Sequence, residues 1–260
     1  MKILRLLEHP LTRGMDLDDP RTTMLRKKII QEKPFLKKIY QEWYEYISQN
    51  LPLGEGSVLE LGSGAGFLDE YIPGLITSEI FLTPLVKVVL DGCALPFEDN
   101  SMKAIVMVDV FHHIPKPRAF LKEASRCVRT DGKIIMVEPW VSPWSRLVYT
   151  YLHHEPFLPD ATNWEFPRTG PLSGANGALP WIMFERDRAQ FEREFPGWHI
   201  VSIKTTMPFR YLVSGGISLK NLAPSWSFGL WKRFEWLFKP WNDKVGMFAE
   251  IILARQASPQ

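Results

Sequence analysis

The chain has 260 residues, enough for one large domain or for one domain carrying a sizeable insertion. Its 45% hydrophobic and 23% charged residues and its net charge of +2 are those of an ordinary globular protein. Nothing in that balance calls for a nucleic-acid partner.

The N-terminal ten residues are interrupted by charge too early for a signal-peptide core. No window approaches the roughly 20 apolar residues that span a bilayer. The expected location is cytoplasmic, with peripheral contact at a membrane surface left open. Asp18-Asp19-Pro20 and then Pro34 open two helical runs, the second carrying Leu36, Ile39, Tyr40, Trp43, Tyr44 and Ile47 at helical spacing. Residues 1–52 therefore read as an N-terminal helical extension.

From residue 53 to 139, short apolar runs alternate with turns and helices. The spacing predicts strands over 57–61, 75–78, 86–90, 104–108 and 133–137, continuous enough to be buried on both faces in a parallel sheet. Residues 117–128 predict a crossover helix through Phe120, Leu121, Ala124 and Val128. Cys93 and Cys127 form no CxxC pair, so neither a disulfide framework nor a cysteine-built zinc site is expected. Residues 140–183 form a Pro- and Trp-rich insertion, too long for a simple connection. In the C-terminal part, 184–260, the pattern predicts a helix over 184–195 and strands over 198–207 and 245–254, separated by a second insertion at about 208–244. All four stretches are expected to form one structural domain.

The chemistry concentrates after the first strand, in Glu60-Leu61-Gly62-Ser63-Gly64-Ala65-Gly66. Glycines there let the backbone turn sharply and approach a ligand closely, with helix N-terminal amides facing it. Phe67 stands where a dinucleotide fingerprint has its last glycine, which disfavours a pyrophosphate. Glu60 would also repel a pyrophosphate, whereas it favours a cation such as an amino group or a sulfonium. Glu79 closes the second strand, where a carboxylate can accept both ribose hydroxyls. Asp91-Gly92 closes the third, where the acid can accept from an adenine amino group. Three acids at three successive strand ends lie on the edge where open α/β sheets bind ligands.

These segments, with Asp91-Gly92-Cys93-Ala94-Leu95-Pro96-Phe97, Val108-Asp109-Val110-Phe111-His112-His113-Ile114 and Arg126-Cys127-Val128-Arg129-Thr130-Asp131-Gly132-Lys133, resemble the class I S-adenosylmethionine-dependent methyltransferases, more narrowly the type 11 group. The resemblance covers about residues 55–140. It implies an α/β, Rossmann-like, seven-stranded, mostly parallel sheet with an antiparallel last strand, here joined to N-terminal helices and aromatic-rich insertions. It also implies S-adenosylmethionine as cofactor and S-adenosylhomocysteine as product. Glu60, Gly62, Ser63 and Gly64 would surround the methionine part, Glu79 the ribose, Asp91 and Gly92 the adenine, and Asp109 would line the pocket. One departure stands out: too few residues separate Glu79 from Val86 for the usual crossover helix.

Methyl transfer from a sulfonium is chiefly a matter of alignment, and a base is needed only for a hydroxyl or protonated amine. His112, His113 and Glu138 are the candidates for that base or for binding the acceptor. His153-His154-Glu155 has no partner ligands at recognisable spacing, and no metal is expected. The aromatic residues Trp140, Trp144, Tyr149, Tyr151, Phe157, Trp164, Phe166 and Trp181 are expected to wall an acceptor pocket for a small or lipid-like molecule. Within 224–241, Trp226, Leu230, Trp231, Phe234, Leu237, Phe238 and Trp241 share one helical face, expected to cover the core, with an interfacial role at a membrane as the alternative. Competing readings are a methyltransferase-fold binding or assembly protein without activity, and a Rossmann-type nicotinamide-dependent oxidoreductase or epimerase.

Overall fold

A computed structural model of the chain describes residues 8–11, 19–153, 155–167, 170 and 174–256. His154 and residues 171–173 lie outside them. Helix α1 (Pro20–Glu32) starts where expected, its Asp19 cap accepting from the Arg21 amide. Helix α2 (Pro34–Gln49) buries Phe35, Leu36, Ile39, Tyr40, Trp43, Tyr44 and Ile47 along one face, the i, i+3, i+4 stripe of its sequence.

Seven strands follow: β1 (Ser57–Glu60), β2 (Ile76–Glu79), β3 (Val88–Val89), β4 (Met102–Val108), β5 (Val128–Pro139), β6 (Trp198–Thr206) and β7 (Phe248–Arg255). They form one sheet in the order β3-β2-β1-β4-β5-β7-β6. The first five run parallel, and β7 is antiparallel to both β5 and β6. The central strands are buried on both faces. Leu59, Ile105, Met107, Ile134 and Met136 meet helix α3 (Pro117–Cys127) on one side. Val58, Ala104, Val106, Ile135 and Val137 meet α2 and helix α4 (Pro143–Leu152) on the other. This period-2 division of apolar residues is what a two-faced sheet requires.

Several local expectations change. No helix joins β2 to β3; residues 80–87 cross directly, tied down by the Lys87 amide on the Thr77 carbonyl and by Lys87 Nζ on the Leu75 carbonyl. A single 3-10 turn, Leu68–Glu70, follows the glycine loop. The helix expected over 184–195 begins earlier, at Leu179–Trp181, and passes through a π turn, Ile182–Arg186, before helix α5 (Arg188–Glu194). Residues 140–183 are not irregular throughout, because Ser142 and Ser145 form a capping box that starts α4.

The second insertion holds helix α6 (Arg210–Ser214) and helix α7 (Phe228–Leu237). Its expected core-covering face is the largest correction. Phe228 and Glu235 are buried, whereas Trp226, Leu230, Phe234, Leu237 and Trp241 of the predicted face are exposed, as is Trp236. The reason is polar. Glu235 accepts from the Phe209 and Arg210 amides and pairs with the Arg210 guanidinium, which also reaches Glu42 at 2.7 Å. That buried anchor fixes the rotation of α7 about its axis, and apolar patterning alone does not see it.

Candidate active site

The cleft lies at the carboxyl edge of the sheet and encloses about 1410 Å³ of space open to solvent. At one end it is lined by Glu60, Gly62, Ser63, Gly64, Glu79, Asp91 and Gly92, and at the other by Asp109, His113, His153, Glu155 and Tyr211. Eight of the site residues read from the sequence thus share one cavity, and a ninth, His113, joins them.

The loop is shaped by two glycines in the left-handed region. Gly62 has φ +61, and a Cβ on it would stand 2.6 Å from Val110 Cγ2. Gly64 has φ +49, and a Cβ there would fill the gap to Glu79 Oε1, 3.2 Å away. Both positions need a residue without a side chain. Ser63 ties the loop to β2: its amide donates to the Ser78 carbonyl at 2.9 Å, and its Oγ accepts from the Ser78 amide at 3.1 Å. Phe67 is buried against Tyr44 at 4.8 Å between centroids, filling the space beneath the loop with an aromatic pair.

Glu60 and Glu79 are buried and form no salt bridge among the described residues. Burial pushes Glu60 up to about 7, against the hydrogen bond from Ser63, and the neighbouring Asp69 and Glu79 push it further. Burial likewise raises Glu79, partly offset by the Ile80 and Gly64 amides. Buried carboxylates without a basic partner are costly unless a donor arrives from outside. This end of the cleft is therefore rich in buried hydrogen-bond acceptors. Asp91 accepts from the Cys93 amide at 2.9 Å, which turns the chain after β3 into the cleft.

At the other end, Phe111–His113 forms a 3-10 turn after β4, following Asp109 with φ +61. Glu138, at the end of β5 and wholly buried, holds that turn. Its Oε1 accepts from the Val110 and Phe111 amides at 2.9 and 2.7 Å, and its Oε2 meets His112 Nδ1 at 2.8 Å. Glu138 and His112 therefore lie off the cleft, and of the three candidate bases only His113 lines it. His113 Nδ1 lies 3.2 Å from the Gly174 carbonyl, which can only accept, so the ring proton sits on Nδ1 and the Nε2 lone pair is left to the cleft. Burial and the adjacent His112 push His113 down to about 3. Burial also works against the charged form of His112, yet Glu138 and Glu155 outweigh it and hold that ring well above the usual histidine range. Asp109 is pushed up to about 7 by burial, with His112 opposing and Glu155 and Glu138 adding to it.

Sequence reasoning missed several cleft residues. Glu155 comes from the segment after α4 and reaches His112 and His113 across the fold. Arg26 of α1, Tyr40 and Tyr44 of α2, and Tyr211 of α6 also line the cleft. Their signal in the sequence is only that of amphipathic helices. Conversely, none of the eight aromatic residues expected to wall the acceptor pocket lines the main cleft. Trp140, Tyr149 and Trp164 are buried in the core, Tyr151 faces outward, and only Tyr149 and Phe157 reach a small recess behind Asp109 and Glu155.

A sheet of this order, with a glycine loop after β1 and strand-end acids around one cleft, defines the class I methyltransferase fold. Residues 59–136 match the family model described as a methyltransferase domain. The chain carries an S-adenosylmethionine-dependent methyltransferase domain and is an enzyme of that class. No curated protein matches it by sequence. Among solved structures, a chain from the complex between the Haloferax volcanii Trm112 methyltransferase activator and a methyltransferase shares its fold at 13% identity and a TM-score of 0.52, covering 94% of this chain and 100% of that one. The YcgJ protein from Bacillus subtilis is similar at 14% identity and a TM-score of 0.49, over 84% of this chain and 100% of that one. Geranyl diphosphate C-methyltransferase from Streptomyces coelicolor, solved with Mg2+, geranyl diphosphate and S-adenosyl-L-homocysteine, is similar at 13% identity and a TM-score of 0.48, over 96% and 90% of the two chains.

Proposed function

We propose that this cleft transfers a methyl group from S-adenosylmethionine to a small-molecule acceptor bound at the Asp109–Glu155 end. The observation that supports it is the joint presence of Glu60, Glu79 and Asp91 around the Gly62–Gly64 turn. Glu60, Gly62, Ser63 and Gly64 would hold the methionine part, Glu60 facing its ammonium. Glu79, behind Gly64, would take the ribose hydroxyls, and Asp91 with Gly92 the adenine. When bound, the cofactor supplies an electrophilic methyl already activated by its sulfonium. The protein's task is then to align a nucleophile and exclude water. His113 and Glu155 present hydrogen-bond acceptors for a nucleophile that carries a proton, a hydroxyl or an ammonium. Arg26, which forms no salt bridge among the described residues, supplies positive charge from the α1 side.

The test is a titration with S-adenosylhomocysteine at pH 6 and pH 8. Only ionised Glu60 attracts an ammonium, and its value of about 7 puts the change between those two conditions. Affinity is expected to rise about tenfold from pH 6 to pH 8, and Glu60→Gln to flatten the profile. The sign for folding is the reverse: a carboxyl raised in the folded state costs the free protein stability as pH climbs from about 4.5 to 7. A pH-independent affinity in the unaltered protein would remove Glu60 from the ligand.

A lipid-like acceptor is favoured by the exposed face of α7. Trp226 is 77% exposed, Trp236 69% and Trp241 53%, alongside exposed Lys232, Arg233 and Lys239. Aromatic rings with basic neighbours suit an anionic membrane surface. The patch connects to the cleft through Phe209, which packs on Phe234 and Phe238, and through Tyr211 two residues on. No helix among the described residues is long and apolar enough to cross a membrane. The chain is expected to float with vesicles containing phosphatidylglycerol and to lose that binding on Trp226→Ala/Trp236→Ala/Trp241→Ala. Protein left wholly in the supernatant would rule out the membrane contact.

A further inference from the structure

We propose that His112, His113 and Glu155 form a binding site for one divalent transition-metal cation at the acceptor end of the cleft. Both rings sit on the same 3-10 turn, with centroids 4.2 Å apart. Each has its Nδ1 engaged from behind, His112 by the Glu138 carboxylate at 2.8 Å and His113 by the Gly174 carbonyl at 3.2 Å. That leaves both Nε2 atoms pointing forward, and both converge on one carboxylate. His112 Nε2 lies 3.5 Å from Glu155 Oε2, and His113 Nε2 lies 3.8 Å from Glu155 Oε1. Among the described residues the wholly buried His112 Nε2 has no partner at hydrogen-bonding distance nearer than this carboxylate.

These distances are long for hydrogen bonds but near what a shared ion requires. Ligands on a tetrahedron with bonds of about 2.1 Å stand about 3.4 Å apart. All three ligand atoms lie within 4.8 Å of one another, so a contraction of at most about 1.4 Å closes the set. A carboxylate or carbonyl behind each imidazole is the arrangement that orients metal-binding histidines and raises their basicity. Glu138 and the Gly174 carbonyl fill those two places. Two imidazoles and one carboxylate select a borderline cation such as zinc, cobalt or iron(II) over magnesium or calcium.

The sequence hid this site because its ligands are not consecutive. His153-His154-Glu155 suggested a run, and the fold instead carries Glu155 back to the turn after β4. Three protein ligands leave a coordination position open, and His113 and Glu155 both line the cleft. The open position therefore faces the acceptor, where the cation would bind and acidify a hydroxyl. That last use rests on the methyl-transfer reading; the site itself does not.

The test is a calorimetric titration of chelator-stripped protein with Zn2+, and a parallel one with Co2+ followed by its visible absorption. A cation competes with protons for the histidine nitrogens, so both are run at pH 8. One equivalent per chain is expected, with cobalt bands of a nitrogen- and oxygen-ligated ion. His113→Ala and Glu155→Gln should each weaken binding about 100-fold, and Glu138→Gln about 10-fold through the orientation of His112. Should His113→Ala fail to fold, the partly exposed Glu155 still gives a usable variant. No binding by the unaltered protein, or binding undiminished in Glu155→Gln, overturns the site. The titration contains no methyl donor, so its failure would leave the cofactor reading standing.

Discussion

Replacing Glu138 by alanine is expected to destabilise the protein by about 3–5 kcal/mol, the cost of removing one partner from a buried, charged hydrogen-bond network. The substitution strands two amides, Val110 and Phe111, together with His112 Nδ1, all served by the one carboxylate. Glu138 and His112 are both fully buried, so water does not replace the lost acceptor. For a chain of this size the midpoint of thermal unfolding should fall by about 6–20 °C. Glu138→Gln keeps an oxygen for the amides and should cost less than half as much. A loss below about 1 kcal/mol for the alanine variant, read by circular dichroism, would show that the turn after β4 holds itself.

Gly62→Ala is expected to weaken S-adenosylhomocysteine binding at least 30-fold. A left-handed conformation costs a residue with Cβ about 1–2 kcal/mol. Here the new Cβ would also press on both Val110 methyls, at 2.6 and 2.9 Å. The loop must move, and it moves away from the acids that surround it. Val110→Ala in the same chain should recover part of the affinity, because it relieves the clash but not the backbone strain. Gly74→Ala is the matched control. Gly74 also has positive φ, +77, but nothing lies within 4 Å of its Cβ position. It should cost some stability and leave affinity unchanged. Equal losses at Gly62 and Gly74 would mean that general destabilisation, not loop geometry, sets binding.

The sheet, and the gathering of its strand-end acids in one cleft, were legible in the sequence for a physical reason. Buried parallel strands must be apolar on both faces, and open α/β sheets bind ligands where those strands end, so acids at the ends of β1, β2 and β3 announce themselves. Glu79 lines the cleft even without the usual crossover helix, since the Lys87 hydrogen bonds hold β3 in register without one. The Asp109–Glu155 end of the cleft was legible only in part. Helical periodicity predicts which residues of α1 and α2 are apolar, but not that Arg26 and Tyr44 will line a cleft. The orientation of α7 was read wrongly because one buried ion pair, Arg210 with Glu235, outweighs the pull of six apolar side chains left exposed. The convergence of Glu155 on His112 and His113 depends on the path of the chain after α4, which no local spacing encodes.

The central claim is that the loop and its acids bind an adenosyl amino acid through its ammonium and ribose, and not a dinucleotide. Isothermal titration of the unaltered protein with S-adenosylhomocysteine, and separately with NAD, tests it most directly. One-to-one binding of the first with no heat from the second is the predicted result; folded protein that binds NAD, or binds neither, contradicts it.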